Sequence, residues 1–340
     1  MTKKQKAYAR AGVDVDFGNR LKRQIQSLVK QTHGPAVLGE IGGFGGLFRA
    51  NFPRTRDPVL VASIDGVGTK LKIAFAMNKH DTVGIDLVNH CVNDIAVLDA
   101  RPLFFLDYIG CEKLEPKVFR QLLRGLSRAC RSAGCALLGG ETAQMPGMYR
   151  KGEYDLAGCI VGVVDRTKVV NGNKIQPGDV ILGLASNGLH TNGYSLARKI
   201  LLEQMQLKPN STLPGSTITV GKELLRVHKN YQPLLAKVPS GVFKGLAHIT
   251  GGGLIDNLPR ILPRNCDAVI ETKNWRLPRI FQILQQNGNV DAQEMYQVFN
   301  MGIGMAVIIA KQDAQRVISI LQAKEIGRVE RGSGKTALSF

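Results

Sequence analysis

The sequence predicts an α/β protein of the α+β type, built from two domains at residues 1–166 and 167–340. Three observations support this fold class. Apolar strands alternate with amphipathic helices between residues 58 and 165. The polar, turn-rich segment 165–178 (DRTKVVNGNKIQPG) then marks a domain boundary. A second α/β unit starts at Val180, and a chain of 340 residues with 44% hydrophobic residues is long enough for both domains.

The predicted elements follow in order along the chain. An amphipathic helix at 19–31 precedes the glycine-rich segment IGGFGGLF at 41–48. The first domain then has strands at 58–64, 103–109, 136–139 and 157–165, with helices at 82–99 and 116–133. The second helix is the best marked, because Pro116 starts it and Gly134 follows it. The second domain runs from Val180 to about residue 310, with helices predicted at 194–204 and 254–262, and a tail helix follows at 312–323.

The end of the first strand is the most informative stretch of the chain. The motif SIDGVGTK at 63–70 places an acid, two glycines, a hydroxyl and a lysine directly after an apolar strand. The carboxyl ends of strands are where α/β proteins tend to bind ligands. Glycine lets the backbone approach a bulky anion, and lysine supplies a charge for phosphate. The alternative interpretation is a tight turn with an acid and a lysine on the surface.

The helix predicted at 82–99 has an unusual polar face. Apolar residues occupy one side, whereas the other side carries Asp86, Asn89, His90 and Asn93, flanked by Asp94. This face contains no lysine, arginine or glutamate, which is atypical of a solvated helix surface. Short acids, amides and an imidazole are instead suited to binding a metal ion or hydroxyl groups.

Glycine-rich turns follow three further strands. The first, GGETAQMPGMY, carries Glu141. The other two, SNGLHTNG at 186–193 and TGGG at 250–253, precede predicted helices, whose free backbone N–H groups bind phosphate. Such turns are also common without any ligand. His190 and His248 lie within or beside the last two turns and are candidate catalytic groups.

Composition limits the other functional classes. The net charge of +18 is typical of proteins that bind nucleic acid, but the excess is spread thinly and aromatic residues are only 6%. The six cysteines show no metal-binding spacing, and most lie in apolar contexts, as expected of reduced thiols. No apolar stretch is long enough to span a bilayer, and the basic start lacks a secretory h-region, so we expect a cytoplasmic protein. The terminal segment GSGKT lacks the helix that a Walker A loop requires, so we interpret it as a tail.

Taken together, the motifs resemble those of the aminoimidazole ribonucleotide synthetase family, the phosphoribosylformylglycinamidine cyclo-ligases of purine biosynthesis. The resemblance spans the chain in order and rests on YARAGVDVDFGN, SIDGVGTK, GIDLVNHCVNDIAV, GGETAQMPGMY, LASNGLHTNGYSLARK, HITGGGLIDNLPRILP and FNMGIGM. It implies a ligase that uses ATP to close the ring of formylglycinamidine ribonucleotide, giving aminoimidazole ribonucleotide, ADP and phosphate. It also implies a homodimer whose N-terminal ATP-binding domains pair their sheets into a β-barrel, and a C-terminal domain that binds the ribonucleotide.

The resemblance also assigns roles to residues of this sequence. It implies ATP with Mg²⁺ as cofactors and leaves a K⁺ requirement open. The cofactor-binding residues that it implies are Gly43, Gly45, Gly46, Asp65, Gly66, Gly68, Thr69, Lys70, Asn89, Asn93 and Glu141. The implied metal ligands are Asp65, Asp94 and Glu141, and the candidate catalytic residues are Lys70, His190 and His248. The implied substrate-binding residues are Ser186, Asn187, Gly188, His190, Thr191, Asn192, Thr250, Gly251, Gly252 and Gly253.

Two other classes of protein remain as alternatives. Thiamine-monophosphate kinase, selenophosphate synthetase and the hydrogenase-maturation dehydratase share a similar acid-and-glycine nucleotide site. The synthetase would carry a reactive cysteine near its N-terminus and the dehydratase one at its C-terminus, whereas residues 1–60 contain none and this chain ends in LSF. The kinase is harder to exclude from motifs. A basic RNA-binding protein is the alternative from a different class. Because the positive charge is spread thinly and aromatic residues are few, we expect neither nucleic-acid nor membrane partners.

Overall fold

The computed structural model describes residues 26–39, 41, 45–53 and 55–340. Within this part of the chain, the backbone forms a four-stranded and a six-stranded sheet, one after the other along the sequence. Residues 26–30 are helical, and the remainder of the helix predicted at 19–31 lies outside the described residues, as do Gly43 and the motif YARAGVDVDFGN.

The first sheet has the order β1-β4-β2-β3. Its strands are β1 (Pro58–Gly66), β2 (Arg101–Cys111), β3 (Ala136–Gln144) and β4 (Tyr154–Asp165). The strands β2 and β3 are parallel, whereas β4 is antiparallel to both of its neighbours. Over the described residues this sheet is open, so the barrel expected from the resemblance is not present within a single chain.

Two helices, α2 (Asp81–Ala96) and α3 (Pro116–Ala133), pack against one face of this sheet, and α1 (Leu71–Met77) contacts β4 through the rings of Phe75 and Tyr154. Two glycines allow α2 and α3 to approach closely. A Cβ atom at Gly84 would lie 2.5 Å from the Leu122 carbonyl oxygen, and one at Gly125 would lie 2.2 Å from the Asp81 carbonyl oxygen. This close approach sets the position of α2, the helix that carries the polar face.

The opposite face of the same sheet is apolar and exposed. Leu60 and Ile64 of β1 are 62% and 73% exposed, and Leu106 and Tyr108 of β2 are also exposed. Exposed residues alternate with partly buried ones along β1, as expected of a strand with one face on the core and one outside. A contiguous exposed apolar surface of this kind is typical of a protein–protein interface.

The second sheet has the order β10-β7-β9-β5-β8-β6. Its strands are β5 (Val180–Ala185), β6 (Phe243–His248), β7 (Cys266–Glu271), β8 (Ile303–Ile309), β9 (Lys324–Arg331) and β10 (Thr336–Ser339). The helices of this half are α4 (Tyr194–Arg198), α5 (Val220–Leu224), α6 (Gln232–Leu235), α7 (Gly253–Asn257), α8 (Arg279–Gly288), α9 (Ala292–Val298) and α10 (Ala314–Leu321).

Three predictions for the second half were wrong in detail. The predicted helix at 194–204 is α4 followed by a π-helical turn, Lys199–Gln204, and the helix predicted at 254–262 ends at Asn257. The strand content continues beyond residue 310 into β9 and β10. The GSGKT segment leads into the edge strand β10, which pairs with β7, and Asp267 accepts hydrogen bonds from the Ser333 and Lys335 N–H groups.

Two further observations concern thiols and membranes. Five of the six cysteines are buried and none forms a disulfide, although Cys159 is partly accessible. Within the described ranges, no helix is long and apolar enough to cross a membrane.

Candidate active site

The site lies where the first half of the chain meets the second. The end of β1 and the polar face of α2 come from the first sheet. Three segments of the second half face them: the turn at 186–192, the segment at 226–231 and the end of β6 at His248. The hydroxyl groups of Thr69 and Ser195, 3.1 Å apart, add a contact between the halves beside this junction.

A buried ion pair joins the two halves. Lys70 Nζ lies 2.9 Å from Asp86 Oδ2, and neither side chain is exposed. The same ammonium donates to the carbonyl oxygens of His190, at 2.9 Å, and Arg226, at 2.6 Å. Burial lowers the pKa of Lys70 and raises that of Asp86, while each charge opposes the shift of the other. All three donors of Lys70 are therefore used within the protein, and a contact with ATP phosphates would require one of these bonds to open.

The remaining polar residues of α2 hold the segment at 226–231 by its backbone. Asp86 Oδ1 accepts from the His228 N–H at 2.6 Å, and Asn89 Nδ2 donates to the His228 carbonyl at 2.7 Å. Asn93 donates to the Lys229 carbonyl at 2.8 Å and accepts from the Tyr231 N–H at 2.9 Å. This face of α2 is therefore buried between the two halves, which explains why it lacks long charged side chains.

Four of the six histidines meet beside this face: His90, His190, His228 and His248. A chain of polar contacts runs through three of them. His90 Nδ1 lies 2.9 Å from Thr191 Oγ1, which lies 3.2 Å from His228 Nδ1. His228 Nε2 in turn lies 2.9 Å from His248 Nε2. The three imidazoles are nearly or fully buried, so their orientations are fixed by these contacts.

A carboxylate stands at each end of this chain. His90 Nε2 lies 2.9 Å from Asp65 Oδ2, and His248 Nδ1 lies 2.7 Å from Asp94 Oδ1. Burial would raise the pKa of both carboxyl groups, but the histidine contacts outweigh it and hold each pKa below its ordinary value. Burial would likewise lower the pKa of His90, yet Asp65 and Asp94 raise it above the usual range. Asp65 and Asp94 are also partly exposed, so both ends of this series of polar contacts are accessible from solvent.

His190 is placed differently from the other candidate catalytic residue, His248. It adopts a left-handed backbone conformation with φ of 62°, and its ring is fully buried and stacked on His228 with centroids 4.1 Å apart. Its Nε2 accepts from the Asn187 N–H at 2.9 Å, whereas its Nδ1 has no hydrogen-bond partner among the described residues. Burial lowers the pKa of His190 well below its usual value, so the ring is neutral.

The two predicted anion-binding turns are ordered by their own side chains. The Ser186 hydroxyl lies 3.0 Å from both the Gly188 carbonyl oxygen and Asn300 Oδ1, so its single hydrogen is donated to one or shared between them, and Gly188 has φ of 76°. In the other turn, Gly252 precedes α7 with φ of 94°, and a Cβ there would lie 2.6 Å from Asp256 Cβ. Asn257 donates to two carbonyls of that turn, those of Gly251 and Gly253, and lies 3.4 Å from the Thr250 hydroxyl.

The predicted cofactor residues fall at two separate edges of the first sheet. Glu141 is in register with Tyr108, Ala157 and Gly66, so it shares the outer face with Tyr108, whereas Asp65 points to the inner face. Three strand spacings separate β1 from β3, or about 14 Å. Within one chain, Glu141 and Asp65 therefore lie on opposite faces and at opposite edges of the sheet, and their joint role as metal ligands stays a prediction.

Gly46 of the glycine-rich segment lies at the same far edge. A Cβ at Gly46 would meet the Leu138 side chain of β3, whereas one at Gly45 would meet open space. Gly68, at the β1 edge, has φ of 65° and likewise leaves open space beside its Cα. Gly45 and Gly68 thus offer close backbone approach to a ligand, but from opposite edges of the sheet.

Sequence reasoning missed two of the residues that organise this junction. Asp86 was recognised on the polar face but was not assigned to the site, although it partners Lys70 and the His228 N–H. His228 was missed altogether, because it follows neither a glycine-rich turn nor a strand end. The only signal for it in the sequence is a histidine beside other polar residues in RVHKNYQ.

The fold and the junction together define a two-domain α/β protein of the AIR synthase-related class. Family models match both halves: "AIR synthase related protein, N-terminal domain" over residues 49–164 and "AIR synthase related protein, C-terminal domain" over residues 176–338. Two solved structures share the fold at 17% sequence identity and a TM-score of 0.67. Thiamine-monophosphate kinase from Stenotrophomonas maltophilia matches over 94% of this chain and 95% of its own, and hydrogenase maturation protein HypE in complex with ATP over 93% and 90%.

Curated relatives are much more similar in sequence. A phosphoribosylformylglycinamidine cyclo-ligase from Syntrophotalea carbinolica is 51% identical over 93% of this chain and 90% of its own. The protein of the same name from Trichlorobacter lovleyi is 50% identical over 97% of this chain and 96% of its own. The chain belongs to the phosphoribosylformylglycinamidine cyclo-ligase (AIR synthase) family.

Proposed function

We propose that this chain closes the imidazole ring of purine biosynthesis, converting formylglycinamidine ribonucleotide and ATP to 5-aminoimidazole ribonucleotide, ADP and phosphate. The observation that carries this proposal is the identity of about half of all residues with cyclo-ligases over nearly the full length of both chains. The enzyme class is therefore a ligase that forms a carbon–nitrogen bond.

The chemistry explains why ATP is required. A formamide carbonyl is a poor electrophile, so its oxygen first attacks the γ-phosphorus of ATP and ADP leaves. The amidine nitrogen then attacks the activated carbon, the ring closes, and phosphate departs with the former formyl oxygen. A protein catalyses such a sequence mainly by positioning the reacting groups and by stabilising charge on the transferred phosphoryl group.

We assign the nucleotide to the first domain, residues 1–166, and the ribonucleotide to the second, residues 167–340. The open backbone at Gly68 supports phosphate approach beside Asp65. The turns at 186–192 and 250–253 supply N–H groups for the ribonucleotide phosphate. Lys70 fixes the position of the two sites relative to each other. Its ammonium donates to the His190 carbonyl of the 186–192 turn and to the Arg226 carbonyl of the second half.

His248 is the residue best placed to handle the amidine proton. Burial lowers its pKa, with opposition from Asp94, so it is available as a neutral base. Its Nδ1 lies against Asp94 at the open side of the cluster, whereas His190 is enclosed behind His228. His190 is therefore assigned to shaping the turn that binds the substrate, and proton transfer is assigned to the His248–Asp94 pair.

The Mg²⁺ implied by the family fits only part of the predicted ligand set. Magnesium prefers oxygen ligands in octahedral geometry and is held in proteins mainly by one or two carboxylates and the substrate's phosphates. The partly exposed Asp65 fits that description. Asp94 does not, because Ser63 donates to one of its oxygens and His248 contacts the other. Magnesium would supply charge neutralisation at the ATP phosphates.

A homodimer would complete the nucleotide site. The outer face of the first sheet exposes Leu60, Ile64, Leu106 and Tyr108, and a second copy of this sheet would cover them in a barrel. Such pairing would also bring Glu141 and the glycine segment of one chain toward the partner. This gives a reason for the division of the predicted cofactor residues between two edges of the sheet.

The test is ADP release with three substrate conditions: formylglycinamidine ribonucleotide, thiamine monophosphate and no acceptor. Rapid ADP release with the first alone, and appearance of the aminoimidazole product, would support the proposal. Release that depends on thiamine monophosphate would instead assign the chain to the kinase activity named for its structural relative.

A further inference from the structure

The outward side of α3 carries a row of cations, which we call the basic stripe. Every basic side chain of this helix is exposed and belongs to the row: Lys117, Arg120, Arg124, Arg128 and Arg131. Steps of three or four residues place them on one side of the helix, opposite the buried residues. From residue 117 to residue 131, a rise of 1.5 Å per residue gives a length of about 21 Å. The sequence shows no basic run here, because only the helix brings these cations together.

The basic stripe lacks counter-charges. The helix α3 contains no acidic residue, and within the part of the chain that the structure describes none of the five cations forms an ion pair with a carboxylate. Arg131 donates to the Gln31 amide oxygen at 3.0 Å. Four arginines elsewhere do pair with carboxylates: Arg166, Arg226, Arg316 and Arg328. The charge of the basic stripe is therefore available to a partner.

The basic stripe does not stabilise the helix that carries it. Like charges three or four residues apart repel one another on a helix surface. Lys117 also lies in the first turn, where the helix dipole disfavours a cation. Replacing these cations with neutral residues should therefore leave the fold intact, which separates a docking role from a structural one.

The position of α3 leaves the basic stripe accessible. The helix packs on α2, β2 and β3, all of which belong to the first half. The junction with the second half is formed by the polar face of α2 rather than by α3. The homodimer proposed above would cover the other face of the first sheet, so each chain of the dimer would still present its basic stripe.

The shape of the basic stripe favours a helix as its partner. It is one side chain wide, and no aromatic residue occupies an exposed position of α3 to stack the bases of single-stranded nucleic acid. Glu115, exposed just before the helix, would repel a polyanion that continued past the row. A second helix with acids at every third or fourth residue would repeat the spacing of the cations. We propose that the basic stripe binds an acidic helix of a partner protein through arginine–carboxylate pairs.

The first experiment measures the binding of a synthetic peptide to the full chain by fluorescence anisotropy. The probe is a labelled, alanine-rich helix of about 20 residues with glutamate at every third or fourth position on one face. A peptide of the same composition, with its glutamates spread around the helix, is the control. We expect the one-faced peptide to bind roughly 10-fold more tightly and to be released by about 0.3 M salt, because exposed ion pairs are screened.

The second experiment removes charge from the basic stripe. The α3 variant carries three substitutions: Arg120→Gln, Arg124→Gln and Arg128→Gln. It should bind the one-faced peptide at least about 10-fold more weakly, with a Tm no lower than that of the wild type. The matched control removes the same charge from exposed positions of the second half: Arg260→Gln, Arg264→Gln and Arg276→Gln. It should bind the peptide as the wild type does.

Three outcomes would overturn the proposal. The first is equal binding of the two peptides, and the second is equal binding of the one-faced peptide by the α3 variant and the wild type. The third is tighter binding of a single-stranded RNA of about 15 uridines that is lost in the α3 variant, which would assign the basic stripe to nucleic acid. None of these measurements uses the ligase reaction, so they remain informative whether or not the proposed activity is found.

Discussion

Lys70 Nζ and Asp86 Oδ2 lie 2.9 Å apart with both side chains fully buried, one beside the glycine-rich turn after β1 and the other on α2. The pair is local to the first half, yet its remaining hydrogen bonds reach the backbone of the second half at His190, Arg226 and His228. The interface between the halves is therefore held by a desolvated charge pair as well as by apolar packing.

Breaking this pair should be costly. Lys70→Met would leave the Asp86 carboxylate buried without its partner, and removal of one member of a buried pair typically costs about 3–5 kcal/mol of unfolding free energy. Urea unfolding of Lys70→Met, Asp86→Leu and the double variant would measure this. We expect the double variant to recover at least half of the loss caused by Lys70→Met, and simple additivity would contradict the pairing.

A second substitution at this position separates the two roles considered for Lys70. If the ammonium only holds the backbone of the second half, Lys70→Ala should raise KM for the ribonucleotide as much as KM for ATP. If it also contacts ATP phosphates, KM for ATP should rise most. Steady-state kinetics with each substrate varied in turn distinguishes the two.

Asn93 should hold the segment at 226–231 in place. Asn93→Ala removes a donor to the Lys229 carbonyl and an acceptor for the Tyr231 N–H, both at a buried interface. Leaving such groups unpaired costs about 1–3 kcal/mol. Hydrogen exchange at the Tyr231 amide should speed up accordingly, whereas Asn171→Ala, at an exposed turn, should not change it. Unaltered exchange in Asn93→Ala would mean that other contacts position this segment.

Gly252 should be sensitive both to backbone strain and to steric contact. At φ of 94° a valine is strained, and its Cβ would lie 2.6 Å from Asp256 Cβ. If the turn binds the ribonucleotide, Gly252→Val should raise KM for that substrate more than KM for ATP. Gly241 has a similar φ of 85° with open space around it, so Gly241→Val controls for strain away from the site. A larger effect on ATP would mean that the site is divided wrongly between the domains.

Low pH should weaken the hydrogen bonds that the Asp165 carboxylate accepts at the end of β4. The Thr167 hydroxyl and N–H, with the Arg56 N–H, lower the pKa of Asp165 to about 2, below the usual range of an aspartate. Because the folded pKa is the lower one, the ionised carboxylate stabilises the fold above about pH 4 and this contribution is lost as the pH falls toward 2. Asp165→Asn should therefore have a lower Tm than the wild type at pH 7, with the difference vanishing near pH 2. A difference in Tm that is independent of pH would contradict this account.

The exposed face of the first sheet should control the oligomeric state. Ile64→Lys places a charge at a position that is 73% exposed in one chain and would be buried in a dimer. Sedimentation velocity should show a dimer for the wild type and a monomer for this variant. Gln315→Lys, on the exposed side of α10, adds the same charge elsewhere and should stay dimeric. A wild-type monomer at micromolar concentration would remove the dimer from the proposal.

Some features of the fold and the site could be predicted from the sequence, and others could not. SIDGVGTK identified a strand that ends in a ligand-type turn, because strand pattern and glycine placement are local properties. The polar face of α2 was recognised as unusual and assigned to ligand binding, but its contacts with the second half were not predicted. Asn89 and Asn93 meet the backbone of residues more than 130 positions away, and periodicity carries no information about such a partner. Glu141 was grouped with Asp65 by motif, whereas strand order and register separate them.

The hydrogen bonds from Asp86, Asn89 and Asn93 of α2 to the segment at 226–231 involve only main-chain atoms of that segment. Asp86, Asn89 and Asn93 bind N–H and carbonyl groups of His228, Lys229 and Tyr231, which every residue type other than proline provides. The backbone at Lys229, whose side chain is only partly buried, is thus held independently of the side chain there. A substitution at position 229 can therefore change the chemistry of this surface without displacing the segment, whereas His228 is fixed by its own buried side-chain contacts.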